Sequence, residues 1–175
     1  GSIQILGIIA QALLGGITVL TGLNPATVAG HFMLSILLIA AATSLRARIF
    51  RNSAEVLQLK TLTKRLIRIM VILTFIVLTA GTIVTGSGPH AGDATAERFP
   101  FDARTVSWIH ADLVIALFGV AISLLIAISV GESEPVKELL GRRARIFLVA
   151  AIAQGGIGYL QYFTGLPELV VALHI

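Results

Sequence analysis

The chain has 175 residues, of which 56% are hydrophobic and only 13% are charged, and its mean hydropathy is +0.94. This balance lies far outside that of soluble domains and predicts a membrane protein. The sequence contains no cysteine, which excludes a disulfide, a thiol nucleophile and a thiolate metal site within it. Its formal net charge of +4 is concentrated in two connections between apolar stretches, so we expect no nucleic-acid partner.

Five apolar stretches are each close to the roughly 20 residues that cross a ~30 Å hydrocarbon core. In chain order they are about Ile3–Leu20, Ala26–Leu45, Leu66–Val84, Thr105–Val130 and Ala144–Phe163. A sixth begins after Pro167 and stops at Ile175, well short of a full span. The pattern predicts an all-α, polytopic transmembrane helical bundle with five complete spans and a truncated sixth. Since a terminal carboxylate is costly inside a bilayer, we expect the sequence to be part of a longer protein.

Basic residues identify the expected cytoplasmic side. They lie between spans two and three and between spans four and five, at Arg46, Arg48, Arg51, Lys60, Lys64, Arg65, Arg68, Lys137, Arg142, Arg143 and Arg145. By the positive-inside rule both connections are cytoplasmic, and the other connections face outward.

A block of twenty-one residues occurs twice, as Gln11–His31 and as Gln154–His174, without a gap. Paired positions are 143 residues apart, and the identical pairs include Gln, Gly, Thr-Gly-Leu, Val-Ala and the final His. The repeat predicts two similar halves that each present the same ligand. The offset contains an even number of spans, so both copies share one orientation, which argues against a transporter built on inverted repeats.

Three histidines, His31, His110 and His174, lie about two turns inside apolar spans, with Asp102 a suitable N-cap for the span that carries His110. One such histidine is often satisfied by a neighbouring backbone group, but three at matched depth favour a ligand role. Bare zinc usually takes four ligands that include Cys or carboxylate. Haem needs only one or two axial ligands and an apolar slot, so haem is the favoured ligand.

Glycines occupy corresponding places in the repeat, at Gly15-Gly16 and at Gly155-Gly156 with Gly158. They either leave room for a flat macrocycle or permit close helix packing, and the sequence does not decide between the two.

The outer connection Thr85–Asp93, followed by Glu97–Pro100, is rich in glycine and contains His90 and Arg98. It either folds over a pocket, where Arg98 pairs with carboxylates such as haem propionates, or is a solvated loop. Asp112 is an ionisable residue inside span four and therefore a functional candidate. At two residues from His110 it points away from that ring, and a structural hydrogen bond between helices is the competing account.

The segments TVLTGLNPATVAGHF, VTGSGPHAGD, WIHADL and GYLQYFTGLPELVVALH together resemble heme A synthase, a membrane enzyme that matures the haem of cytochrome oxidases. The resemblance covers nearly the whole chain and is strongest to actinobacterial members, which implies a multi-pass protein of a bacterial plasma membrane. It implies an eight-span architecture of two four-helix halves with pseudo-twofold symmetry. Residues 1–50 then form the last two spans of the N-terminal half, 51–65 a cytoplasmic linker, and 66–175 the C-terminal half with a truncated last helix.

The resemblance also implies residue roles. His110 and His174 match the axial ligands of a haem b cofactor, and His31 matches a ligand of the substrate haem O, whose methyl group is oxidised to the formyl group of haem A. His90 and Arg98 are expected contacts of the haem groups at the outer mouth. The family's partner for His31, a nearby glutamate and the cysteine pair of some members are absent from this sequence, so we expect the chain alone to be inactive.

The implied partners are the lipid bilayer, haem O and an electron donor that the sequence does not identify, with a haem O synthase or a second copy as candidate protein partners. The alternative function is a non-catalytic membrane cytochrome b, which uses the same paired histidines for electron transfer. The Thr-Gly-Leu repeat and the glycine-rich loop favour the synthase.

Overall fold

The computed structural model describes residues 2–49, 58–89 and 95–174, and these residues form helices and connections without a strand. The helices are α1 (Ser2–Leu20), α2 (Pro25–Ile49), α3 (Thr61–Ser87), α4 (Ala103–Gly131), α5 (Glu134–Phe163) and α6 (Glu168–His174). The first five are each long and apolar enough to cross a membrane. For the described residues, the predicted all-α architecture with five long apolar helices is therefore confirmed, and these helices are compatible with a membrane helical bundle.

Helix α4 begins at the predicted position because Asp102 caps it. The Asp102 carboxylate accepts hydrogen bonds from the backbone N–H of Thr105 at 2.8 Å and from the Thr105 hydroxyl at 2.7 Å. An N-cap side chain of this kind satisfies an N–H group that has no partner within the helix. The Thr105 hydroxyl and backbone bonds hold the pKa of the Asp102 carboxyl below its ordinary value.

Helix α5 begins ten residues before the predicted start at Ala144. It includes a π-helical turn at Lys137–Gly141, ahead of the regular helix Arg142–Phe163. Charged residues lower the hydropathy of this first part, yet they favour helix, as in the ion pair of 2.8 Å between Lys137 and Glu134 one turn apart. Hydropathy therefore locates the apolar part of the span and misses its polar extension.

The chain divides into two compact units. The first comprises α1 and α2 together with Leu78–Ser107, and α1 packs along α2 within it. The second comprises the described residues among 56–77 and the residues 108–174.

The second unit contains a buried cluster in which Leu124, Ile128 and Ala144 are packed among Leu66, Ile67, Met70, Leu125 and Leu140. Beside it, the carboxylate of Glu132 accepts a hydrogen bond of 2.9 Å from the backbone N–H of Lys60. Glu132 follows the end of α4 and Lys60 precedes α3, so a buried carboxylate joins the end of one helix to the start of another. A negative group is favourable at a helix N-terminus.

Aromatic residues and basic residues lie at opposite ends of α5. The Trp108 Nε1–H donates to the Tyr162 hydroxyl at 3.3 Å, and Phe163 packs edge-on against Tyr162. Trp and Tyr are enriched at membrane interfaces. From Arg145 to Tyr162 the helix rises about 26 Å, close to the ~30 Å thickness of a hydrocarbon core. This spacing fits one membrane crossing by α5.

Candidate functional site

The two copies of the repeat form the same helix–turn–helix unit. Each first helix ends in two residues of left-handed conformation, Gly22 (φ 64°) and Leu23 (φ 59°) in one copy and Gly165 (φ 78°) and Leu166 (φ 61°) in the other. Glycine takes this conformation without steric cost, whereas leucine does so rarely. An unfavourable leucine conformation at the same place in both copies shows that the turn itself is repeated.

Backbone hydrogen bonds match between the two turns. The Leu23 N–H donates to the Thr18 carbonyl at 2.9 Å, and the Leu166 N–H donates to the Gln161 carbonyl at 2.8 Å. These bonds close the six-residue ring of a Schellman motif, which satisfies carbonyls at the end of a helix. The Thr-Gly-Leu sequence therefore specifies how each first helix ends and how the second begins.

A glycine of each first helix provides space for the histidine of the second. A Cβ atom on Gly15 would lie 3.1 Å from Cε1 of His31, and one on Gly158 would lie 3.0 Å from Cε1 of His174. Such distances are tighter than ordinary carbon–carbon contacts. Each imidazole thus lies directly against a helix backbone, in the same way in both copies.

The other glycines of the repeat have different surroundings. A Cβ atom on Gly16 or on Gly156 would have no neighbour within 4 Å, whereas one on Gly155 would lie 3.2 Å from Cζ of Phe118 on α4. Gly155 therefore serves close helix packing, and Gly15 and Gly158 admit imidazoles. Close helix packing, one of the two explanations offered by the sequence, therefore applies to Gly155, whereas room for a macrocycle stays a prediction.

The three histidines lie at similar distances from the starts of their helices. His31 lies six residues after the first residue of α2, His110 seven after that of α4, and His174 six after that of α6. At 1.5 Å per residue, each is about 9–10 Å along its helix.

Two of these histidines come together in the second unit. The imidazole of His110 lies beside the backbone carbonyl of Val77 and close enough to His174 for their charges to interact, and His174 lies beside the backbone carbonyl of Gln154. In both rings Nδ1 is buried and has no hydrogen-bond partner among the described residues. Buried ring nitrogens are normally paired, so two unpaired ones at one place mark a candidate ligand site.

His31 lies in the first unit and has a side-chain partner, Gln11 on α1. The Gln11 Nε2 atom is 3.3 Å from Nε2 of His31 and 3.1 Å from the His31 carbonyl oxygen, and it also contacts the Ser35 hydroxyl. The Nδ1 atom of His31 is buried without a partner in the described part of the chain. Gln11 was not among the predicted site residues. The signal that could have identified it is its recurrence in the repeat, where Gln154 is the corresponding residue.

Arg98 is held within the outer connection. Its guanidinium donates to the Ala96 carbonyl at 2.9 Å and to the Pro89 carbonyl at 3.1 Å. The predicted pairing of Arg98 with a ligand carboxylate therefore starts from a guanidinium already ordered by its own loop. The predicted site residue His90 lies outside the described residues.

The same connection is attached to the neighbouring turn of the first unit. The Asn24 amide donates to the Glu97 carboxylate at 3.1 Å, and the Phe99 N–H donates to the Gly86 carbonyl at 2.9 Å. The Phe99 ring fills the space where Gly86 lacks a side chain. The part of the connection that the structure describes is therefore packed against the helix ends.

Asp112 is exposed on α4, and no hydrogen bond or ion pair joins it to another described residue. Across residues 2–49, 58–89 and 95–174, no three His, Asp or Glu side chains are grouped to hold a bare metal ion.

Comparisons with family models, with curated proteins and with solved structures give no significant match. A functional assignment therefore rests on the residues and contacts described above.

Proposed function

We propose that this chain is the haem-binding part of a heme A synthase, which oxidises a methyl group of haem O to the formyl group of haem A by successive hydroxylations and loss of water. The observation that carries the proposal is that His110 and His174 lie near each other in one unit, each with a buried Nδ1 atom that has no hydrogen-bond partner among the described residues. The third histidine, His31, has the same glycine-backed position as His174. Equivalent positions then serve a cofactor in one half and a substrate in the other.

The surroundings of His110 and His174 fit a bis-imidazole haem b. A neutral imidazole has one N–H and one acceptor nitrogen. Each ring has a backbone carbonyl beside it, from Val77 or from Gln154. That carbonyl can accept the N–H, which leaves the other nitrogen for iron and fixes the orientation of the ring.

Haem b, when bound, supplies one-electron transfer for the oxidation. The chain's own residues bind and orient: His110 and His174 hold the cofactor iron, and His31 holds the iron of the substrate haem O. The apolar helices exclude water from both groups. Arg98 and His90 contact the haem carboxylates at the outer mouth, where an arginine ordered by its own loop loses little entropy on binding.

In this proposal the chain belongs to an eight-span protein of a bacterial plasma membrane with two pseudo-symmetric four-helix halves. The basic connections that precede α3 and α5 face the cytoplasm, and the histidine-bearing helix ends lie toward the outer face. A separate electron donor is a required partner. A haem O synthase or a second copy of the chain would supply or share the substrate.

The cofactor site is tested by binding haem b to the purified chain in detergent. We expect a low-spin bis-imidazole spectrum that is lost in His174→Ala. Asp112→Asn serves as the control, because this exposed residue on α4 has no described contact with the ring. A low-spin spectrum that persists in His174→Ala contradicts the assignment.

The catalytic half is tested by supplying haem O to the protein in membranes and analysing the extracted pigments. This test needs the whole eight-span protein of the proposal, because the chain alone lacks the partner of His31. There we expect haem A to form, and we expect His31→Ala to abolish haem A while the low-spin spectrum persists. A protein that retains the low-spin haem but never forms haem A would instead be an electron-transfer cytochrome b.

A further inference from the structure

The hydrogen bonds around His31 determine which of its ring nitrogens carries the proton. The His31 carbonyl oxygen can only accept, so the Gln11 group 3.1 Å away must be the NH2 end of the amide. That NH2 group is also 3.3 Å from Nε2 of His31. The ring nitrogen facing it must therefore be the acceptor, which places the proton on Nδ1.

Ser35 supports the same orientation of the amide. Its hydroxyl donates to the His31 carbonyl at 3.0 Å, so its oxygen can accept from Gln11. The two N–H groups of the amide are thus shared among three acceptors: the His31 carbonyl, the Ser35 oxygen and Nε2 of His31. The carbonyl end of the Gln11 side chain, in contrast, is buried without a partner among the described residues. Gln11 is therefore held by its nitrogen alone, and half of its hydrogen-bonding capacity is unused.

The second copy of the repeat lacks this arrangement. Gln154 corresponds to Gln11 and is exposed, and His174 lies beside its backbone carbonyl. Among the described residues, no hydrogen bond joins a side-chain amide to a ring nitrogen of His174. The two histidines share a glycine-backed position but differ in whether a side chain covers the acceptor nitrogen.

We propose that Gln11 is a displaceable cap on the iron-binding nitrogen of His31, so that this site releases its iron porphyrin more readily than an uncapped site would. The inference rests on the proposed function, because it takes His31 as a ligand of the substrate iron. An empty site would otherwise leave a buried acceptor unpaired, which is costly. The amide stabilises the His31 site without iron, because it competes with iron for the lone pair of Nε2. This competition favours release of the product.

The test uses iron protoporphyrin IX as the probe, bound to the purified chain in detergent. The single imidazole of His31 leaves iron high-spin, whereas the His110–His174 pair makes it low-spin, so the two bound populations are resolved in one spectrum. Transfer to excess apomyoglobin then gives a release rate for each population.

We expect Gln11→Leu to slow release of the high-spin population by about three- to ten-fold, the size of one lost neutral hydrogen bond. Gln11→Glu should act in the opposite direction. A carboxylate only accepts, so it places the proton on Nε2 of His31 and removes the lone pair that binds iron. Opposite effects from one position distinguish competition for the nitrogen from loss of packing.

Gln4→Leu is the matched control, since Gln4 lies two turns earlier on α1 and no hydrogen bond is seen between it and another described residue. We expect its release rate to equal that of the wild type, and the low-spin population reports that each variant is folded. Three outcomes overturn this inference but leave the proposed function standing. They are equal release rates for Gln11→Leu and wild type, faster release from both Gln11 variants, and binding of haem at the low-spin site only. Failure of the wild-type chain to bind haem at either site overturns the proposed function and the inference with it.

Discussion

At the scale of single residues, an absent side chain decides where each of two histidine rings lies. Gly158 and Gly15 have no Cβ, and the imidazoles of His174 and His31 fill the space where one would be. The histidines were predictable because an ionisable ring inside an apolar span is unusual. The pairing of a specific glycine with a specific ring was not, because it depends on the turn between their helices.

Alanine substitutions separate the two kinds of glycine on α5. Gly156→Ala meets no atom within 4 Å, so we expect it to raise the free energy of unfolding by about 0.5–1 kcal/mol through reduced backbone entropy. Gly158→Ala should lack this gain, because its Cβ lies 3.0 Å from the His174 ring. It should also shift the low-spin haem spectrum. The measurement is detergent-based unfolding together with the absorbance of the haem-bound chain.

Equal stabilisation by Gly156→Ala and Gly158→Ala, with unchanged spectra, would show that the His174 ring moves away at no cost. The contact between Gly158 and His174 would then have no structural role.

The residue missed by the sequence prediction was Gln11. Its side chain is polar and lies on an apolar helix, and it recurs in the repeat, yet only the contact with His31 shows what it does. A polar residue in a span has many possible partners on neighbouring helices, and spacing along one helix does not choose among them.

At the scale of helices, caps and turns are determined by a few neighbouring residues, so they were the more predictable part of the structure. Asp102 was expected to cap α4 and does so through Thr105. The early start of α5 was not expected, because charged residues precede its apolar part. Hydropathy reports how favourably a segment enters the hydrocarbon core. A helix can extend beyond that core into water where ion pairs between neighbouring turns stabilise it.

The Asp102 cap should make the start of α4 sensitive to acid. The pKa of Asp102 is lowered in the folded chain by its hydrogen bonds with Thr105. Its contribution to stability is therefore complete above the ordinary pKa of the carboxyl and is lost as the pH falls through the lowered value. We expect the thermal midpoint of wild type to fall more steeply between about pH 5 and pH 2 than that of Asp102→Asn.

Asparagine retains the oxygen that accepts from Thr105 but does not titrate in this range. All other acidic groups are shared by the two proteins, so the difference between their pH profiles isolates Asp102. Parallel profiles would mean that the carboxylate charge adds nothing to the cap.

At the scale of the whole molecule, most large apolar side chains face outward, and few are buried. Five helices were predictable because the bilayer requires a continuous apolar stretch of nearly fixed length. Which helices form each compact unit was not, because lipid and protein interiors are equally apolar. Packing in a membrane depends on fit rather than on hydrophobicity.

Two isoleucines on α4 test this view of the core. Ile128 is 2% exposed within the buried cluster, whereas Ile126 is 58% exposed. Ile128→Ala should lower the free energy of unfolding by about 2 kcal/mol, since it leaves a cavity. Ile126→Ala should change the free energy of unfolding by less than about 0.5 kcal/mol, as surface substitutions usually do. Comparable losses in the two variants, measured by denaturation in detergent, would indicate that Ile126 is covered by another surface.

Each Schellman turn fixes the number of residues between a glycine of the first helix and the histidine of the second that packs against it. His31 is the sixteenth residue after Gly15, and His174 is the sixteenth residue after Gly158. One residue added to the second helix ahead of its histidine would rotate the ring by about 100° and advance it by about 1.5 Å, off its glycine. A single insertion or deletion would therefore move the histidine away from its glycine even if every other residue of the segment were kept. Length, more than composition, is therefore what these two segments must keep.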